Sequence, residues 1–90
     1  MIELILEEQG RILSFDGRVI EAFRENQVEA IRRHVAHVEV AELSVDKKGR
    51  YNLAIRMKGG QGFTYTSLPP EVIEQAQKLV AEVERARASL

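Results

Sequence analysis

The residues best suited to binding in this chain are basic. Arg32, Arg33 and His34 form one short run, and Lys47, Lys48 and Arg50 form another. A sheet that brought the two runs together would make a patch for an anionic head group or an acidic peptide. Charge on a sheet edge also discourages pairing between chains, so the same residues suit a solvated edge with no ligand. His34 and His37 share a side only on a helix, because residues three apart fall on opposite faces of a strand. Beyond Glu39 and Glu42 no third metal ligand lies near them in the sequence, and neither a metal nor a cofactor is expected. Serine catalysis has no support: the only aspartates, Asp16 and Asp46, fall in expected turns, and no oxyanion-type loop accompanies a serine. Phe63 and Tyr65 could stack on bases, but in alternation with Thr64 and Thr66 they more simply face a core.

Composition narrows the classes further. Ninety residues, 44% hydrophobic and 30% charged, suit one domain over 1–90 with one core. Thirteen basic and 14 acidic residues leave a formal charge of −1. No overall field then draws in polyanions, and a nucleic-acid partner is not expected. The chain has no cysteine, so disulfides, thiolate metal sites and thiol catalysis are excluded. MIELILEEQG has too short an apolar run and the wrong charge for a signal peptide, and nothing approaches a membrane span. A cytoplasmic location is the expectation.

The elements that must position these residues read as strands followed by one helix. Expected strands run over about 2–6, 11–15, 18–23, 31–35, 38–45, 50–57 and 62–67, and the helix over about 70–88. Asp16-Gly17 suits a two-residue hairpin, and Asp46-Lys47-Lys48-Gly49 suits a loop ending in a left-handed glycine. Tyr51, Leu53, Ile55 and Met57 alternate inward against Asn52, Ala54, Arg56 and Lys58. Between Val38 and Val45 the alternation slips, which a bulge near Ala41 and Glu42 would reconcile. The span 25–38 is ambiguous. Asn26 and Glu29 resemble a capping box, and Val28, Ile31, Val35 and Val38 are spaced helically, yet Arg32 to Val38 also fits an edge strand preceded by a turn around Asn26 to Glu29.

From Pro69 the pattern is helical: Val72, Ile73, Ala76, Leu79, Val80, Val83 and Ala86 make one apolar stripe. Glu71 and Glu74 suit the positive N-terminal end, and Arg85 and Arg87 the negative C-terminal end. Burying about six such side chains at roughly 1.5 to 3 kcal/mol each stabilises docking by on the order of 10 kcal/mol before ordering entropy.

This arrangement resembles the pleckstrin-homology-like superfold, especially its small bacterial domains. The likeness rests on a short opening strand, the hairpin from Gly10 to Val19, the hairpin through Asp46-Lys47-Lys48-Gly49 and the terminal helix. It implies a mainly β barrel or sandwich of about seven antiparallel strands in two sheets, with the helix plugging one open end. Members of that superfold bind lipids, peptides or proteins, and few are catalytic. Phosphoinositide binders place a lysine at the end of the first strand and Arg-x-Arg in the second; here those places hold Leu6, Glu7, Glu8 and then Arg11-Ile12-Leu13. An acidic first loop would repel an inositol phosphate.

Gly59-Gly60-Gln61 resembles the Gly-Gly-Gln of peptide-chain release factors, which would imply hydrolysis of an ester. The basic flanks that accompany that motif are lacking, and a flexible turn is the simpler reading. The expectation for the whole chain is a non-enzymatic interaction domain that binds a protein or peptide, or associates with itself. Peripheral attachment to anionic membrane lipid through the basic residues is the second reading, and a small enzyme or ligand carrier with a pocket between helix and sheet is the third.

Overall fold

A computed structural model of the chain describes residues 1–6, 9–24, 31–60 and 62–90. Among the described residues seven antiparallel strands form two sheets, and one C-terminal helix follows them. Strands β1 (Ile2–Leu6), β2 (Arg11–Phe15), β3 (Val19–Arg24) and β4 (Ile31–His34) pair in chain order as the first sheet. A 3-10 turn, Val35–His37, then carries the chain across to β5 (Val38–Val45), β6 (Tyr51–Met57) and β7 (Gly62–Leu68), which make the second. A second 3-10 turn, Pro70–Val72, opens into helix α1 (Ile73–Ala88). Among the described residues the sheets do not close into a barrel, an arrangement compatible with a sandwich.

The core is the sum of the inward alternations. Leu4, Leu6, Leu13, Phe15 and Ile20 come from the first sheet, and Leu53, Ile55, Met57, Phe63 and Tyr65 from the second. The helix adds Ala76, Leu79 and Val83, with Ile73, Val80 and Ala86 packed around them, so the apolar stripe is the buried face. Phe63 and Tyr65 are core residues, and the inward set of β6 is the expected one.

Three local expectations shift. The bulge in β5 lies between Val38 and Val40, earlier than Ala41 and Glu42, and the extra residue there lets Val38 and Ala41 be buried with Leu43 packed beside them. The first hairpin closes between Asp16 and Val19, where the Asp16 N–H donates to the Val19 carbonyl at 3.3 Å, so Gly17 and Arg18 are its central residues. In the ambiguous span, 31–34 is strand and Val35–His37 a single 3-10 turn. The turn expected around Asn26 to Glu29 lies outside the described residues.

Two open sheets have four edges, and strand edges left bare pair with other chains. Helix α1 packs on both β1 and β5, one edge of each sheet. On β5 it also supplies a hydrogen bond: the Ala41 N–H, which points away from β6, donates to Glu84 Oε1 at 3.0 Å. Arg87 in turn holds the Glu84 carboxylate from 2.6 Å. Partial burial pulls the Glu84 carboxyl upward, but the Ala41 N–H and Arg87 outweigh it and leave it below its ordinary value of 4.5.

A carboxyl depressed by folding contributes stability above its unfolded pKa and loses it as pH falls through the folded value. The Glu84 contribution is therefore present above about pH 4.5 and fades below it. Glu84→Ala leaves a buried edge N–H without its partner and is expected to cost about 1 to 3 kcal/mol. Glu84→Gln keeps an acceptor, so it costs less and flattens the acid limb of stability against pH. Urea titrations at neutral and acid pH check both outcomes.

Candidate binding trough between two sheet edges

The other two edges, β4 and β7, lie on the side that α1 does not cover. β4 is exposed along its whole length. Its register against β3 pairs Arg33 with Ile20 and Arg32 with Glu21, and the Val35 N–H donates to the Arg18 carbonyl at 2.7 Å. Donors alternate along an antiparallel strand, so Ile31 and Arg33 direct their N–H groups to β3 while Arg32 and His34 present theirs to the open side. The Arg32 carbonyl on that side accepts from Arg33 Nη1 at 2.8 Å. On β7 the Thr64 carbonyl accepts from Arg11 Nη2 at 3.3 Å and the Thr66 carbonyl from Gln9 Nε2 at 3.4 Å. Among the described residues both edges are thus shielded by long side chains and not by a packed element.

Between them runs a trough of three contiguous hollows of about 340, 330 and 250 Å³. His37 and Lys58 stand at one end, Arg33 and Ile31 face Met57 and Phe63 along the middle, and Arg11 and Arg24 flank Tyr65 at the other. The basic groups come from four separate stretches of chain. Arg11 and Arg24 are neighbours because β2 and β3 pair them directly, and the Arg11 guanidinium sits 4.0 Å from the centre of the Tyr65 ring, within reach of a cation–π contact. Burial pushes the Tyr65 phenol above its ordinary value of 10.0, against the pull of the Arg11 and Arg24 charges. The phenol therefore stays protonated, with its hydroxyl hydrogen in place.

Among the described residues no carboxylate lines the trough, and Arg11, Arg24, Arg33 and Lys58 make no ion pair. A near-neutral chain has gathered positive charge in one concave place with an apolar floor. Such a place attracts extended anionic chains, since low-dielectric walls concentrate the field.

The basic residues singled out from sequence are divided by this geometry. Arg33 lies in the trough. Arg32 points to the opposite face of the sheet, where its Nη2 is 3.3 Å from Glu21 Oε1. His34 uses Nδ1 to accept from the Ala36 N–H at 3.0 Å, capping the 3-10 turn. Lys47, Lys48 and Arg50 belong to the β5–β6 hairpin, a β6 length away from the Met57 end where Arg33 sits, roughly 20 Å at 3.3 Å per residue. The two runs do not converge. In that hairpin the Asp46 carboxylate accepts from the Lys48 and Arg50 N–H groups and from Arg50 Nε, and these bonds hold its carboxyl below the ordinary range. Arg50 is therefore engaged in closing the turn, where Gly49 takes φ +79°.

His34 and His37 join no metal-binding cluster: among the described residues no three His, Cys, Asp or Glu side chains come together. Gly59 and Gly60 form the β6–β7 turn at φ +96° and +95°, and Gln61 lies outside the described residues. Among the described residues no helix is long and apolar enough to cross a membrane. The sequence matches no protein-family model and no curated protein.

Proposed function

We propose that this chain is a non-enzymatic interaction domain, of pleckstrin-homology-like form, that takes an extended acidic segment of a protein into the trough between β4 and β7. The observation that carries this reading is the pairing of a fully exposed edge strand with a basic trough alongside it that no carboxylate lines among the described residues. An added strand would bond to the Arg32 and His34 amides, which is how backbone pairing supplies affinity. Alternate side chains of the segment would drop onto Ile31, Met57 and Phe63, and its acidic positions would meet Arg33, Arg24 and Arg11. Charge-assisted bonds from arginine forks to carboxylates are the stronger kind and would set specificity. Arg33 must release the Arg32 carbonyl for this to happen, a rearrangement of one exposed side chain.

Peptides recovered from a random-sequence display library on the immobilised protein test the proposal. Acidic sequences rich in β-branched residues are expected, and their affinity should fall with salt. Arg33→Glu should weaken them at least about tenfold, since like charges brought together cost several kcal/mol. Lys47→Glu, on the distant hairpin, should change affinity little. If instead no acidic peptide is selected and the protein co-sediments with phosphatidylserine vesicles in a way that Arg33→Glu abolishes, the trough serves a membrane surface and the peptide reading fails.

A further inference from the structure

The outer face of the first sheet carries a pattern that the trough does not explain. Ile5, Ile12 and Phe23 are exposed at 46%, 38% and 39%, and the register makes them one row, with Ile5 opposite Ile12 and Ile12 opposite Phe23. A shallow groove of about 520 Å³ runs over this row. One step along the strands lies a second row on the same face: Glu3, Ser14, Glu21 and Arg32, again in direct register from β1 to β4. Its ends have opposite charge. Arg32 leans on Glu21 but stays 66% exposed, so it can reach outward.

We infer that this face pairs with the same face of a second copy of the chain, about a two-fold axis that lies in the face and runs along the strands. That operation sets β1 of one copy over β4 of the other and β2 over β3. Glu3 of each copy then meets Arg32 of its mate, Ile12 meets Phe23, and Ser14 meets Glu21. An isologous interface needs such a self-complementary patch. Aligned sheets cross at about −30°, and the long Glu3 and Arg32 side chains absorb the offset this causes at the corners. A four-stranded face of this length offers roughly 300 Å² of flat area per copy at ordinary strand spacings, well under the roughly 800 Å² of a standard stable interface. The pairing is therefore weak and depends on concentration. It leaves the middle of the trough open, because Ile31 and Arg33 belong to the opposite face of the sheet, whereas Arg11, Phe23 and Arg24 border both the groove and the far end of the trough.

Sedimentation equilibrium on the full chain, up to millimolar protein, tests this. The wild type is expected to shift reversibly toward a dimer. Glu3→Arg places arginine against Arg32 twice per dimer, and Arg32→Glu places glutamate against Glu3 twice. Each variant alone should associate at least about tenfold more weakly, as like charges at an interface require. An equal mixture of the two should recover association, because every contact in the mixed dimer is again between opposite charges. Ile12→Lys should abolish association whether alone or mixed. Circular dichroism identifies any variant that is misfolded, and Glu3→Lys with Arg32→Asp then replaces the first pair. A wild type that stays monomeric, single variants that associate like the wild type, or a mixture that stays monomeric would each overturn the inference. None of these outcomes bears on acidic-peptide binding, which is read separately at Arg33.

Discussion

Leu79→Ala is expected to lower the unfolding free energy by about 2 to 5 kcal/mol, the range for emptying a leucine site in a core that closes only partly around the cavity. Leu79 is wholly buried and sits with Ala76 and Val83 on the one helix face that touches both sheets. The loss is large against the roughly 5 to 15 kcal/mol by which a small domain is stable. Lys78→Ala, one residue away on the exposed side, removes only an ion pair to Glu74 at 3.6 Å and should shift stability by less than about 0.5 kcal/mol. Urea denaturation with a common m-value compares the two. Near-equal effects would mean that α1 is not docked as described.

Gly62→Ala is expected to be the most costly of the conservative surface changes, at about 1 to 3 kcal/mol, the usual penalty for forcing atoms into filled space. Gly62 is exposed, so nothing about its burial warns of this. Its missing Cβ is what permits the close approach of β7 to β6 where Gly62 pairs with Arg56: an added carbon would be driven into the Ile55 carbonyl oxygen and lie 3.1 Å from Arg56 Cα. Both obstacles are backbone, so β7 itself must move. Phe63 and Tyr65 would move with it, and the trough would widen. A thermal melt should fall by roughly 4 to 8 °C per kcal/mol for a domain of this size, and peptide affinity should fall with it. An unchanged melt would show that the two strands have slack where Gly62 pairs with Arg56.

The parts of this architecture legible from sequence are those written as periodicity or turn chemistry. The i, i+3, i+4 spacing from Val72 to Ala86 marks the buried helix face, and the alternation from Tyr51 to Met57 marks a strand with one wet side. Asp46 through Gly49 carries its own turn, because the Asp46 carboxylate bonds within five residues and Gly49 takes the left-handed position. The bulges are harder. A slip in the phase of β5 signals that one exists, but which residue is left unpaired depends on β6 and the helix. Ser67 shows the same difficulty: its φ of +54° and the bond from its N–H to Asn52 Oδ1 at 3.0 Å belong to a register shift with β6. No local glycine announces it.

The candidate site is less legible still, because it is assembled across sheets. Arg11, Arg24 and Lys58 stand singly in the sequence, without a run or spacing to draw attention. They become one site only when β2 pairs with β3 and the 3-10 turn folds the second sheet alongside β4. Arg32 and Arg33 show the converse. They are adjacent in the chain, yet strand geometry sends them to opposite faces, one to the trough and one to the outer row. A short run of basic residues on a strand is therefore two half-sites. The signal that would have located the trough is the match between inward positions of different strands, which needs the register.

The most direct test of the central claim is amide hydrogen exchange of the protein with and without a display-selected acidic peptide. Strand addition on β4 predicts that exchange slows at Arg32 and His34, whose N–H groups face the open side, with no comparable change at Leu43 or Val45 on the β5 edge. Slowing on β5 with Arg32 and His34 unaffected, or peptide binding without any protected edge amide, would contradict the account.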